Sequence, residues 1–169
     1  MPMVVNGLPA HVLLVHFVVV LVPATVLLLV LSVAWRSARE RIGIFGPLLA
    51  ALTLIIAIVA AQAGDWLKHK LEADDDLINQ HANFGTLLEY AAGAVFVLYA
   101  VWWTISSTGG EKVLAKLGPL QPIAKNKLVQ IAVAVAAVAV SALALYLVVM
   151  VGDTGAQATW SGYKDLLTK

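Results

Sequence analysis

Long apolar runs alternate with short polar stretches along the whole chain. Four of these runs are long enough to cross a hydrocarbon core of about 30 Å, which requires roughly 20 residues of helix. They predict membrane spans at about residues 8–35, 44–63, 84–105 and 128–151. No basic residue precedes the first run, and it exceeds the apolar core of a signal peptide, so we expect it to be retained. Because the connections are short, successive helices are antiparallel neighbours, and the predicted fold is an all-α, up-down four-helix transmembrane bundle forming one domain.

The composition is that of a membrane protein and contains no evident catalytic motif. Hydrophobic residues make up 61% of the 169 residues and charged residues only 12%, against about 25% charged residues in soluble domains. The formal net charge of +1 provides no basic field for nucleic acid. The absence of cysteine excludes disulfides, thiolate metal sites and cysteine nucleophiles. Because phosphate-binding, dinucleotide and nucleophile-elbow motifs are also absent, a non-catalytic protein is favoured over an enzyme.

The distribution of basic residues predicts the orientation of the bundle. The connections at 36–43 and 106–127 contain seven of the eleven Lys and Arg residues. The positive-inside bias predicts that both are cytoplasmic in a bacterial inner membrane, and that the connection 64–83 and both termini face outside. The C-terminal segment 152–169 contains Trp160, whose amphipathic ring favours the outer interface.

Polar side chains collect toward the outer ends of the predicted spans, at two depths. The shallower layer is a candidate metal site composed of His11, Asp65, His69, His81 and Asp153. The deeper layer is predicted to be a buried polar layer of His16, Gln62, Glu89 and Tyr146. At 1.5 Å per residue, His16 lies roughly 10 Å below the start of the first helix. For both layers the alternative is a set of polar contacts that only hold helices together, since such contacts are common between transmembrane helices.

These residue types suit more than one chemistry. Imidazoles and carboxylates bind zinc or copper, although the spacing matches no established metal motif. His11, His16 and His81 are candidate cofactor ligands, because a haem b held by two histidines requires rings that face one another. The sequence leaves open a transition-metal ion or haem b. Glu89 suggests a proton- or quinone-handling site with His16 as its partner, because an acid at that depth is costly unless it is neutralised or paired.

Four short motifs occur in order along the chain. They are HVLLVHF in the first span, AGDWL at the end of the second, HANFG at the start of the third and VGDTGAQATWSG after the fourth. Together they resemble the small four-span bacterial membrane family named domain of unknown function 2231. The chain departs from that family's pattern at Val12 and Val18, which replace prolines, and at Asp153, where a histidine can occur. The resemblance implies a four-span fold with marked positions at one membrane face, namely His11, His16, Asp65, His81 and Asp153.

The function favoured by these observations is that of an accessory or interaction subunit in a larger bacterial membrane complex, for instance a respiratory one. Small size, the lack of catalytic motifs and Ala/Val-rich helix surfaces support this interpretation. The expected partners are the lipid bilayer and other membrane subunits or further copies of the chain. A metal- or haem-binding protein with its site at the outer face is the first alternative. A proton- or quinone-handling site at His16 and Glu89 is the second.

Overall fold

Four long helices and three short ones make up most of the described residues. The computed structural model describes residues 3–73, 75–116 and 121–160. The long helices are α1 (Ala10–Ala34), α3 (Phe45–Lys70), α4 (Asp76–Ser106) and α7 (Lys127–Trp160). The short helices are α2 (Arg36–Ile42), α5 (Thr108–Lys116) and α6 (Gln121–Ala124), and the strands β1 (Val4–Val5) and β2 (Leu8–Pro9) precede α1. By length and composition each long helix can cross a membrane, which confirms the predicted four-span helical fold.

The long helices pack as a ring in which each contacts the next. α1 packs against α3, α3 against α4, α4 against α7, and α7 against α1. Small side chains fill much of the centre, since Ala50 on α3 and Ala137 and Ala144 on α7 are almost fully buried and allow close approach of the helices. At mid-bundle the hydroxyls of Thr25 on α1 and Thr53 on α3 are hydrogen-bonded at 2.7 Å. The sequence analysis did not identify this buried interhelical bond.

The two ends of the bundle differ in chemistry. α1 and α4 begin at the same end, where His11 and His81 lie, and we name it the histidine end. α2 and α5 connect the helices at the opposite end, and we name it the basic end because both carry basic residues in their last turns. The site described below lies at the histidine end.

At the histidine end, α3, α4 and α7 extend beyond the apolar runs that predicted them. α3 continues through polar residues to Lys70, and α4 starts at Asp76. The predicted loop 64–83 is therefore much shorter than expected. The helix starts this early because the Asp75 side chain accepts a hydrogen bond from a backbone N–H two residues further on, at 2.8 Å, which is the usual cap of a helix N-terminus.

Both termini differ in detail from the prediction. Asn6 and Gly7 have positive φ values of 50° and 82° and connect β1 to β2, as the Asn-Gly pair of a tight hairpin does. The first span was predicted from Leu8, but α1 begins only after this hairpin. Residues 152–160 of the predicted C-terminal segment continue α7, and residues 161–169 lie outside the described residues.

Arg39 joins two helix C-termini at the basic end. Its guanidinium donates to the carbonyls of Ser32 at 2.7 Å and Val33 at 3.2 Å, in α1, and to that of Ser106 at 3.3 Å, in α4. Its Cζ lies 4.6 Å from the centre of the buried Trp102 ring. Burial lowers the pKa of Arg39, but the ordinary value is high enough that the group stays charged. The positive charge complements the negative ends of both helix dipoles.

Candidate functional site

Two imidazoles meet at the histidine end of the bundle. His11 is the second residue of α1, and His81 is the sixth residue of α4. The two helices are diagonal partners in the ring of four, so these side chains approach each other across its centre. The ring centroids are 6.0 Å apart and the ring planes are inclined by 86°. Both side chains are partly buried.

Each imidazole packs against a glycine of a neighbouring helix. A Cβ atom placed on Gly64 of α3 would lie 2.9 Å from Cε1 and Nδ1 of His11. A Cβ atom on Gly155 of α7 would lie 3.0 Å from Cε1 of His81. Such distances are shorter than ordinary carbon contacts. The two glycines therefore provide the space in which the rings lie.

The protonation of both rings follows from their acceptors. Nδ1 of His11 donates to the Ala60 carbonyl at 2.9 Å, and Nδ1 of His81 donates to the Val151 carbonyl at 3.0 Å. Because a carbonyl only accepts, Nδ1 carries the proton and Nε2 of the neutral ring has a free lone pair. Nδ1 of His81 is also 3.3 Å from the Thr154 hydroxyl. A ring N–H held by a carbonyl is the usual support of a histidine that binds a metal through its other nitrogen.

The surroundings of the two histidines are equivalent. In each case the accepting carbonyl precedes the contacted glycine by four residues: Ala60 precedes Gly64, and Val151 precedes Gly155. In each case the histidine belongs to the first helix of a hairpin, α1 or α4, and the acceptor belongs to the second, α3 or α7. The site is thus built from two similar halves.

An open cavity of about 760 Å³ surrounds the histidine pair. All four long helices line it, and most of the lining is apolar. The volume lies within the range of small-molecule sites. Besides His11 and His81, the polar lining residues include His16, Gln62, Asp65, Lys68, Thr86 and Glu89. Lys68 is held at its position by donating from Nζ to Oδ1 of Asn79 at 2.6 Å.

The five residues predicted as one metal site do not assemble. Asp65 lines the cavity with the two histidines, but His69 and Asp153 do not. At 100° per residue His69 lies about 140° around α3 from Gly64, and Asp153 about 160° around α7 from Gly155. Across residues 3–73, 75–116 and 121–160, no three His, Asp or Glu side chains are close enough to hold a metal ion.

The predicted buried polar layer is also wrong for most of its members. His16 and Gln62 are exposed, and Tyr146 keeps 55% of its surface. Tyr146 lies on the face of α7 about 180° from Gly155, which explains why it does not line the cavity. Glu89 is half-buried and does line it.

His16 and Glu89 do not form the predicted pair. His16 donates from Nδ1 to the Val12 carbonyl of its own helix at 2.6 Å. No hydrogen bond or ion pair between His16 and Glu89 occurs in the described part of the chain. The reason is rotational: His16 lies about 140° from His11 around α1, whereas Glu89 lies about 80° from His81 around α4. The two side chains are therefore rotated by different angles away from the His11–His81 pair.

Glycines and backbone carbonyls of the site were not predicted from the sequence, because they are not polar side chains. Gly64 and Gly155 stand within the motifs AGDWL and VGDTGAQATWSG, but their contact with imidazoles depends on how neighbouring helices are rotated. The carbonyls of Ala60 and Val151 have no sequence signal at all, because every residue has one. The signal that the sequence did contain was a glycine on each helix that packs against one of the two histidines.

One comparison with known proteins supports the membrane character of the chain. A family model described as "Predicted membrane protein (DUF2231)" matches residues 7–163. The match includes both histidines and all four long helices. No curated protein and no solved structure matches the chain.

Proposed function

The chain belongs to the DUF2231 family of predicted membrane proteins, and from the geometry of its histidine pair we propose that this multi-pass protein binds a haem b with His11 and His81 as the two axial ligands. The function is then that of a membrane haem protein in electron transfer. The observation that carries the proposal is the pair of imidazoles with ring centroids 6.0 Å apart, each with Nδ1 held by a backbone carbonyl.

The separation of the rings suits one metal atom between them. Metal–nitrogen bonds to imidazole are about 2 Å long. With a ring radius of roughly 1 Å added on each side, a metal bound linearly by two imidazoles separates the ring centroids by about 6 Å. The observed separation is 6.0 Å.

The number of ligands favours haem over a bare metal ion. Zinc and copper sites in proteins use three or four protein ligands, and no such group exists in the described part of the chain. A porphyrin supplies four equatorial nitrogens, so two histidines complete the coordination. With both axial positions occupied by imidazole, the chemistry that the group supplies is one-electron transfer and not O₂ binding.

The volume of the cavity, about 760 Å³, and its mostly apolar lining support a porphyrin as the occupant. A haem bound between His11 and His81 would extend toward α3 and α7, because its plane would be perpendicular to the line joining the two histidines. Besides the two glycines that the imidazoles contact, both of those helices present small residues there, Ala61 on α3 and Gly152 on α7. The apolar walls suit the macrocycle, and their exclusion of water favours a tightly bound cofactor.

The proposal is tested by the pigment of the purified protein. We expect protein from haem-replete cells, extracted in mild detergent, to show a Soret band and about one haem per chain. His11→Ala and His81→Ala should each lose most of the pigment. His69→Ala is the matched control, because His69 is exposed and does not line the cavity, and its haem content should be unchanged.

Two results would contradict haem binding. One is a colourless protein that remains colourless after titration with haem. The other is equal pigment in all three variants. Size-exclusion chromatography and helical circular dichroism identify variants that fail to fold. If the alanine variants are less stable but no variant ever binds haem, the histidines serve only to join the helices.

The accessory-subunit role predicted from the sequence is compatible with this proposal, because a subunit of a larger complex can itself hold a cofactor. Its support is still the small size of the chain and the absence of catalytic motifs. Co-purification of stoichiometric partners after mild extraction would support it, and a lone monomer would count against it. The proton- or quinone-handling alternative stays a prediction from sequence, because His16 and Glu89 share the cavity but do not contact each other.

A further inference from the structure

The equivalence of the two histidines extends to the entire pair of hairpins. His11 and His81 define an offset of 70 residues between α1 and α4, and Gly64 and Gly155 define an offset of 91 residues between α3 and α7. If the hairpins are repeats, the same two offsets should relate other positions that share a structural role. We therefore compare, at these two offsets, the residues that line the cavity and the residues of the buried core.

The cavity lining follows the two offsets. Each of the six α1 residues that line the cavity has an α4 counterpart in the lining, for example Val12 and Ala82. Seven of the eight lining residues of α3 have a counterpart in α7 that also lines it, such as Lys68 and Thr159. The exception is Gln62. The lining is therefore nearly symmetric about an axis that runs along the bundle between the two histidines.

The buried core follows the same offsets. In the first helices, Val22, Leu29 and Ser32 correspond to Ala92, Tyr99 and Trp102, all buried. In the second helices, Ala50, Thr53 and Ala57 correspond to Ser141, Ala144 and Val148, all buried. The two offsets differ because the connection within the second hairpin, which contains α5 and α6, is longer than the connection within the first. The symmetric arrangement thus includes the whole bundle and not only the site.

This symmetry determines how a haem fits the site, and the argument rests on the function proposed above. The axis lies in the plane of a haem held between His11 and His81. Haem b carries its two carboxylates on one edge, on either side of its own approximate twofold axis. The floor of the cavity is apolar, with Val18 and Leu88 among its residues, so the carboxylate edge belongs at the mouth. The carboxylates then lie toward α3 and α7.

We propose that Lys68 and Thr159, which are equivalent residues at the mouth of the cavity, bind the two haem carboxylates. Lys68 contributes a charged hydrogen bond to one carboxylate and is already positioned by Asn79. The Thr159 hydroxyl donates to the Gly155 carbonyl of its own helix at 2.9 Å, and it would rotate to donate to the other carboxylate. Asp65 also lines the cavity, one turn before Lys68 on α3, but its carboxylate repels an anion, so Lys68 is the charged α3 residue of the lining that can bind one. The site is symmetric in shape and asymmetric in charge.

The test exchanges the two residues. In the haem-loaded protein, Lys68→Thr should weaken haem binding about two- to fivefold, as expected for loss of a solvent-accessible ion pair, and lower the midpoint potential. Thr159→Lys should strengthen binding and raise the potential. The double exchange, K68T with T159K, should restore both quantities to near the wild-type values, because the positions are equivalent. Lys70→Thr is the control, since Lys70 is exposed and lies outside the cavity lining.

The outcomes separate this inference from the haem proposal. If every variant and the wild-type chain bind no haem, the proposed function fails and the carboxylate sites fail with it. If haem is bound with an unchanged Soret band, and Lys68→Thr and Lys70→Thr behave alike, haem binding stands and the carboxylate assignment is wrong. If the single variants behave as expected but the double exchange does not restore the wild-type values, the two positions are not equivalent.

Discussion

The orientation of His11 and His81 is set by groups that are not functional in themselves. A backbone carbonyl fixes the proton on Nδ1 of each ring, and a glycine leaves the space that the ring occupies. His16 shows the contrast, because its Nδ1 bonds to a carbonyl of its own helix. A histidine in a membrane helix thus acquires its role from its neighbours on other helices.

Adding one methyl group at either glycine should disturb the site. Gly64→Ala and Gly155→Ala should displace the adjacent imidazole, because the new Cβ would lie 2.9 Å or 3.0 Å from a ring atom. Overpacking of this kind costs about 1–3 kcal/mol, and we expect haem affinity and thermal stability both to fall. Gly93→Ala is the control, since its nearest contact would be Leu54 at an ordinary 3.8 Å. Equal behaviour of all three variants would argue against tight packing of the rings.

At the scale of single elements, helix length is decided by more than apolar composition. α3 and α7 continue for several residues past the predicted spans, and they carry Gly64, Lys68 and Gly155 in these extensions. The residues that complete the site are therefore helical and held in register, whereas the sequence placed them in a loop and a C-terminal segment. At the opposite end, helix C-termini are held together by a single cation, Arg39.

Removing that cation should destabilise the bundle. Arg39→Met keeps much of the side-chain volume but loses three hydrogen bonds to carbonyls of α1 and α4. Hydrogen bonds to charged groups contribute about 1.5–3 kcal/mol, so we expect a loss of about that size in the free energy of unfolding. Thermal unfolding in detergent, followed by circular dichroism, measures it. Arg41→Met, at an exposed position on the same helix, should change stability little. An equal loss of stability in both variants would show that the positive charge of α2, and not the hydrogen bonds of Arg39, stabilises the bundle.

At the scale of the whole molecule, the chain is two similar hairpins that enclose one site on their common axis. Each hairpin supplies one imidazole of the His11–His81 pair, so under the proposed function neither half alone would contain both axial ligands. The charged residues differ between the two halves. Lys68, Asp65 and Glu89 in one half correspond to the uncharged Thr159, Ala156 and Val19 in the other. Under the proposed function, a few polar substitutions on a symmetric frame would tune the properties of the haem without altering the fold.

The orientation in the membrane is a prediction that the chain is well suited to test, because it contains no cysteine. The basic connections predict a cytoplasmic basic end and an outward histidine end. A cysteine introduced at Lys70, at the histidine end, should react with a membrane-impermeant maleimide in intact cells. A cysteine at Ser37, in α2, should react only after lysis. Both positions are exposed, and the reverse labelling pattern would invert the orientation.

The sequence by itself determined the membrane class, the four spans and the end of the bundle at which histidines collect. These properties depend on local quantities, namely the length of apolar runs and the count of polar residues between them. His11 and His81 were grouped by depth alone, and the structure places their ring centroids 6.0 Å apart.

Only the tertiary structure decided which polar residues belong together. His69, Asp153 and Tyr146 lie at suitable depths, but each is rotated away from the cavity, and depth does not specify rotation. The carbonyl acceptors and the space beside Gly64 and Gly155 depend on the relative register of two helices, which no short motif encodes. The equivalence of the two hairpins was hidden for the same reason: their sequences differ at most positions, and the shared register becomes visible once burial and cavity lining are known.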